Sequence, residues 1–401
     1  MGTARNARRP QDYTALGIAP QPIARREDGM RTTGEKDTYE WWYFDTHLDD
    51  GSSLVVVFYT KPFIEGVGKG LAPYVSVELD RPDGSHHQWE AKADAAGFHA
   101  ATARCDVTIG PNTFRNVEWG EPLKYRIHVE EGPLLLDIDL AGQEPPWRPG
   151  TGYMYFGEQD DHFFAWLPSV PQGSVMVDLV LDGVQESLTG VGYHDHNWGD
   201  VAMTKLINHW YWGRAQAGAY SIVSSYITAE ANYGSTEIPI FMLAKDGAIV
   251  ADDPGKVRFS LEGEQVDEHS GKPFAQVVTY EYEDGTDRYV IRYQRQSTIV
   301  DDRMIDQITG PGTCWPRRPG STARTCGSRA RWSSNTSSMG SRWRRSPTPG
   351  SGSSCGSATC GDRWFGRQAQ WPVSCVLGAP TALMSAQAGR YRTVQAESAC
   401  P

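Results

Sequence analysis

The sequence is short of several things. No stretch approaches the ~18 consecutive apolar residues of a membrane-spanning helix, so no transmembrane span is expected. The basic opening MGTARNARRP is followed by no apolar core, which a secretory signal requires. The sixth position, Asn6, lacks the hydroxyl of a myristoylation signal. The default compartment is therefore the cytoplasm, with association at a membrane surface left open for a substrate that lives in lipid. No GxGxxG loop follows a strand-like run, so nicotinamide and flavin are not expected. Positive charge is in deficit: the chain carries a net −11, and nucleic acid is excluded as a natural partner.

Cysteine is nearly absent from the first 310 residues, where Cys105 stands alone. Six more follow: Cys314, Cys326, Cys355, Cys360, Cys375 and Cys400. The same tail has twelve arginines, no lysine, no isoleucine, and only Asp362 and Glu397 as acids. Cys355 and Cys360 have no second ligand pair at zinc-finger spacing. Neither a period of 2 nor of 3.6 runs through RTCGSRARWSSNTSSMGSRWRRS. Residues 311–401 therefore read as a low-order tail, with the composition of a GC-rich gene translated out of frame. A disordered linker is the plainer alternative.

What is abundant is aromatic and glycine: 14 Trp, 18 Tyr and 42 Gly. Short alternating runs about ten residues apart, closed by turn dipeptides, predict antiparallel strands in an all-β chain. EWWYFDTHL (40–48) and SLVVVFYTKPF (53–63) flank Asp-Asp-Gly; YVSVELD (74–80), KYRIHVEE (124–131), LLLDIDLAG (134–142) and SVMVDLVLDG (174–183) follow. A second series holds HWYWGRAQ (209–216), YSIVSSYITAE (220–230), IPIFMLAKDG (238–247), QVVTYEYEDG (276–285) and DRYVIRYQRQ (287–296). The predicted organisation is a flexible lead-in (1–37), a first β domain (38–205), a second, partial one (206–310), and the tail.

Three segments carry chemistry. In GYHDHNWGD (192–200), strand alternation puts His194, His196 and Trp198 on one face and Asp195 and Asn197 on the other. Imidazole moves protons near neutral pH, and a Trp face stabilises a cation. A metal on these His and Asp side chains lacks an evident third ligand, His162 and His209 being candidates; a satisfied hydrogen-bond network closing the barrel end is the plainer reading. In EWWYFD (40–45), Glu40, Trp42 and Phe44 share a face. In WYWGR (210–214), Trp210, Trp212 and Arg214 do, as an aromatic wall with an anchoring cation or as core packing.

Taken together and in this order, the three segments resemble the carotenoid 1,2-hydratase (hydroxyneurosporene synthase) and AttH group, over about residues 38–300. The resemblance implies tandem lipocalin-like β-barrels, a pocket between or within them, and neither metal nor organic cofactor. In the hydratases a His and a Trp in an HxW motif, matching His196 and Trp198, act with a Tyr and an Asp two apart on a following strand. Tyr226 matches the Tyr, but Thr228 stands in place of the Asp and cannot be a general acid. Relatives of this fold also include Diels–Alder cyclases, which need shape and apolar walls. The expectation is an enzyme, hydratase or cyclase, on an apolar isoprenoid or polyketide polyene. His196 moves the proton, oriented by Asp195; Tyr226 donates a hydrogen bond; Glu40 supplies a second carboxyl. Trp198, Trp42, Trp210 and Trp212 wall the substrate, with His194 and Arg214 beside it. The alternative is a non-catalytic lipocalin-like carrier.

Overall fold

The computed structural model describes residues 2–62, 70–266, 273–295 and 392–396, all within one compact unit. In chain order the strands of the first half are β1 (Ala4–Asn6), β2 (Tyr39–Leu48), β3 (Ser53–Tyr59), β4 (Tyr74–Asp80), β5 (His86–Lys92), β6 (Phe98–Ala100), β7 (Asp106–Ile109), β8 (Asn112–Glu118), β9 (Lys124–Glu131), β10 (Leu134–Gly142), β11 (Tyr153–Phe156), β12 (His162–Leu181) and β13 (Val184–Gly199). They form one 13-stranded sheet whose path runs β5-β4-β3-β2-β13-β12-β10-β9-β8-β7-β6, with β1 and β11 beside β12. The sheet curls so that both of its ends meet one core: Val75 and Ala91 come from one end, Val107 and Ile109 from the other, and Trp42, Phe44, Phe114 and Ile127 from between.

Local chemistry sets these hairpins. At the β12–β13 turn Asp182 and Gly183 both have positive φ (50° and 81°), the primed turn whose twist matches paired strands. Asp246-Gly247 repeats it at φ 51° and 78°.

The second half contains β14 (Ile207–Ala217), β15 (Tyr220–Ala229), β16 (Glu237–Lys245), β17 (Ala248–Ala251), β18 (Val257–Glu262), the short pair β19 (Gln265–Val266) and β20 (Pro273–Phe274), β21 (Val277–Asp284) and β22 (Asp287–Gln294). β14–β17 form one four-stranded sheet; β18, β21, β22 and β23 (Arg392–Ala396) form another. The fold is all-β and lipocalin-like in both halves, the second made of two small sheets rather than a closed barrel. The β14–β17 sheet is the middle layer of three. One face packs Val223, Ile227, Ile240 and Met242 against Tyr193, Trp166 and Phe164 of the first half. Its other face packs Ile222, Phe241 and Leu243 against Tyr280, Tyr282 and Ile291.

Within the tail, β23 pairs parallel with β22; the rest of 311–401 lies outside the described residues. The lead-in is not a loose arm. It carries β1, a helix α1 (Pro10–Leu16), and the buried acids Asp12, Glu27 and Asp28. Arg148, 5 % exposed, fixes it: Nε donates to Glu27 at 2.9 Å, and the other guanidinium nitrogens donate to the carbonyls of Ala19, Pro20 and Gly150. Its polar composition concealed this, because the lead-in is held by ionic contacts to distant residues and not by an apolar stripe. No helix among the described residues is long and apolar enough to cross a membrane.

Arg148→Ala strands the Glu27 carboxylate in the interior. It is expected to cost about 3–5 kcal/mol in denaturant unfolding, and limited proteolysis is expected to open the chain first within residues 10–30.

Candidate functional site

β2 and β13 are hydrogen-bonded neighbours, with Trp198 opposite Glu40, His196 opposite Trp42, Asp195 opposite Tyr43 and Tyr193 opposite Asp45. Since successive side chains alternate, the pair presents two different surfaces. Glu40, Trp42, His194, His196 and Trp198 point into the curl of the first sheet. Tyr43, Asp45, Tyr193 and Asp195 point out, toward the second half.

The inner surface is sealed. Glu40, Trp42, His194 and His196 are fully buried and Trp198 is nearly so. His196 lies between Trp42 and Trp198, both ring centroids at 4.7 Å. Its Nε2–H donates to Glu40 Oε1 at 2.6 Å. Glu40 also accepts from the backbone N–H groups of Arg31 and Thr32 and from the Thr32 hydroxyl. Its acceptor positions are thus filled by the protein itself. His194 donates from Nδ1 to the Tyr43 carbonyl at 2.8 Å and is flanked by Phe114 and Tyr125. Asp28 sits beneath both imidazoles, accepting from the Tyr125 hydroxyl at 2.5 Å. Burial pushes the Asp28 carboxyl up, but His194, His196 and Tyr125 together hold it below its ordinary value. Trp198 donates from its indole to the Tyr153 hydroxyl at 3.0 Å.

The outer surface is covered in part by the second half: Asp45 and Tyr193 are fully buried and Asp195 nearly so. Tyr43, Trp41, Trp210, Trp212 and Arg214 are half-buried. Trp212 meets Tyr193 and Tyr43 edge-on at 5.5 and 6.4 Å. Arg214 lies over the Tyr193 ring and is ion-paired to Asp45 Oδ1. Asp45 Oδ2 and Arg214 Nε take no hydrogen bond. Burial raises the Asp45 carboxyl, with Arg214 opposing. Asp195 accepts from Tyr193 Oη (2.8 Å), Trp166 Nε1 (2.7 Å) and Asn197 Nδ2 (2.6 Å), yet burial outweighs these donors and pushes its carboxyl up to about 6. Burial and the neighbouring carboxylates keep Tyr43 and Tyr193 as phenols. His47, driven down to about 3 by burial and by Arg214, is neutral.

The expected residues therefore divide between two surfaces. Glu40, Trp42, His194, His196 and Trp198 come together inside. Asp195, Trp210, Trp212 and Arg214 come together outside. Asp195 does not orient His196: alternation sends it to the opposite face, and Glu40 takes that part. Tyr226 joins neither group. It lies on the far face of the β14–β17 sheet, stacked on Phe259 at 3.7 Å with its hydroxyl on Glu237. His162 and His209, weighed as metal ligands, contact Asp200 and Asn208 instead. Sequence reasoning missed Tyr43, Asp45 and Tyr193. The available signal was a repeated Tyr-x-Asp: Tyr43-Phe44-Asp45 and Tyr193-His194-Asp195 are the same pattern on paired strands.

His196→Ala removes the donor to the buried Glu40 carboxylate and the ring packed between Trp42 and Trp198, and is expected to destabilise the fold by about 2–4 kcal/mol. Tyr226→Phe removes one exposed hydrogen bond and is expected to cost less than about 1 kcal/mol. Urea titration of both variants measures the contrast.

The Diels-Alderase-like (DA-like) family profile matches residues 158–298, which include GYHDHNWGD and WYWGR. A quinolone epoxide rearrangement protein of Emericella nidulans is 25 % identical over 292 residues, covering 68 % of this chain and 77 % of that protein. A hydroxyneurosporene dehydrogenase of Chlorobaculum tepidum is 27 % identical over 218 residues, covering 44 % of this chain and 53 % of that protein. The crystal structure of CghA with Sch210972 superposes with a TM-score of 0.50 at 13 % identity, covering 67 % of this chain and 78 % of that one, a likeness of fold. The resemblance carried by the three motifs is borne out: the chain is similar to the Diels-Alderase-like proteins and to relatives named for quinolone epoxide rearrangement and hydroxyneurosporene chemistry.

Proposed function

We propose that this chain is an enzyme of hydratase or cyclase type. It takes an apolar polyene, of isoprenoid or polyketide origin, against the outer surface of β2 and β13. The observation that carries the reading is the checkerboard of Asp45, Tyr43, Tyr193 and Asp195 facing the half-buried Trp210, Trp212 and Arg214. Acid chemistry at neutral pH needs a carboxyl whose proton is retained near pH 6–7. Burial supplies one at Asp195 and raises a second at Asp45.

In a hydration, the Asp195 carboxyl gives its proton to one carbon of a double bond. The indole and phenol faces stabilise the cation left on the other carbon. Water adds to that carbon and returns a proton to the carboxylate. In a cyclisation the same wall holds the chain folded, while Tyr43 and Tyr193 donate hydrogen bonds that polarise a conjugated carbonyl. The names of the relatives, an epoxide rearrangement protein and the Diels-Alderase-like family, favour chemistry of this kind. The inner His196 and Glu40 act here as positioning residues that hold β13 against β2. The reading places the protein in the cytoplasm, meeting lipid-borne substrate at a membrane surface, and puts no working residue in 311–401.

Purified protein is to be assayed by mass spectrometry against acyclic isoprenoid polyenes and linear polyketide polyenes. Hydration adds the mass of water; cyclisation keeps the mass and shortens the chromophore. Asp195→Asn is expected to lower turnover by about 10²–10⁴ with circular dichroism unchanged. Binding without turnover across both panels marks the carrier alternative and overturns the proposal.

The pH dependence has a definite sign. The folded pKa of Asp195, about 6, lies above the ordinary aspartate value of about 3.9. The folded chain therefore holds the extra proton between them. The contribution of Asp195 to stability is full below the unfolded value and is lost as pH rises through the folded one. Turnover is expected to fall on the alkaline side of about pH 6 in wild type; a rise there contradicts Asp195 as the acid.

A further inference from the structure

The sealed cluster inside the first sheet has a feature that neither the proposed chemistry nor the packing uses. His194 Nδ1–H is committed to the Tyr43 carbonyl. A neutral ring then points the lone pair of Nε2 at Asp28 Oδ2, 3.3 Å away. His196 Nε2–H is committed to Glu40, so its Nδ1 lone pair points at Asp28 Oδ1, 3.6 Å away. Neither His196 Nδ1 nor Asp28 Oδ1 has a hydrogen-bond partner, and both residues are fully buried. Cys105, also fully buried, brings a third kind of donor: Cys105 Sγ and ligand atoms of Asp28 and His194 all lie within 4.8 Å of one another.

Two arrangements can reconcile lone pairs that face a carboxylate. In the first, the imidazoles are protonated and donate to Asp28. Charge-assisted N–H···O bonds in a dry interior close to about 2.7–2.9 Å, shorter than the 3.3 and 3.6 Å found. In the second, a cation lies between them. Zinc bonds of about 2.0–2.1 Å to N and O give tetrahedral edges of about 3.3 Å, close to the observed spacing. Moreover, a backbone carbonyl on the other ring nitrogen, as the Tyr43 carbonyl is to His194, is the kind of outer partner that fixes a metal-binding imidazole.

We propose that Asp28, Cys105 and His194 form a closed, structural binding site for a divalent transition metal, zinc by its donor set. Nitrogen, thiolate and carboxylate ligands together suit zinc over magnesium or calcium. All three ligands are fully buried, so the site offers no position that substrate could reach, and its work is mechanical. Asp28 belongs to the lead-in, Cys105 immediately precedes β7, and His194 lies on β13. One ion joins the middle of the sheet to a strand near its end and to the N-terminal segment, holding the curl shut where strand pairing does not. This departs from the expectation of no metal, which rested on finding no third ligand near GYHDHNWGD. The site is independent of the acid chemistry on the outer surface.

The test uses the full chain, produced with zinc in the medium and dialysed. Elemental analysis is expected to give one zinc per chain. Cobalt exchanged for zinc is expected to show tetrahedral visible bands and a near-ultraviolet thiolate-to-cobalt band. Cys105→Ser is expected to abolish the thiolate band and His194→Gln to abolish retention, while His162→Ala keeps both. Folded wild-type protein that stays far below one zinc per chain after incubation with excess zinc overturns the proposal. So does bound cobalt without the thiolate band, or zinc retained by both ligand variants. The first two outcomes are read on wild-type protein alone, so the proposal stays falsifiable even where a ligand variant fails to fold.

Discussion

The two-residue period of a β-strand, imposed on the neighbouring strands β2 and β13, is the constraint from which the rest of this molecule follows. It sorts EWWYFD and GYHDHNWGD into two surfaces with different dielectric surroundings. Trp42, His196, Glu40 and His194 face a closed interior whose polar groups satisfy one another. Tyr43, Asp45, Tyr193 and Asp195 face a second layer of sheet that leaves its aromatic side chains half-buried. A one-residue slip of either strand would exchange the two sets, place imidazoles against Trp212 and drive Asp195 into the apolar core. The inner network therefore serves the outer site even without touching a substrate, because it pins the register.

Each surface treats its carboxylates differently. Inside, Glu40 is surrounded by donors from Arg31, Thr32 and His196 and has no acceptor position left over. Outside, Asp195 has three donors and yet retains its proton to about pH 6, because burial outweighs them. Asp45 keeps one oxygen unpartnered beside Arg214. An unpartnered polar atom in the interior costs roughly 1–3 kcal/mol.

Much of the architecture was legible in the alternation and the turn dipeptides. The segments 74–80, 124–131 and 134–142 coincide with β4, β9 and β10. Strands such as His86–Lys92 and Asn112–Glu118 were not legible, because polar residues and histidines break their alternation. The face assignments of His194, His196, Trp198, Glu40 and Trp42 follow from period alone and agree with the register. The partnerships do not, since they span long stretches of chain. Asp28 reaches His194 across 166 residues and Arg214 reaches Asp45 across 169. Tyr226 was matched by its distance along the chain from HNW, and that spacing carries no information on which side of β15 faces the first half. Counting parity from Arg214, paired with Val223, assigns Tyr226 to the far side.

The most direct test of this account is the titration of Asp195 itself. Aspartate labelled with carbon-13 at its side-chain carboxyl, followed by NMR from pH 3 to pH 8, reports each carboxyl separately, and Asp195→Asn assigns the resonance. The account predicts one carboxyl, absent from that variant, that titrates near pH 6. An Asp195 carboxyl already ionised at pH 4 would leave the outer surface without its proton donor and contradict it.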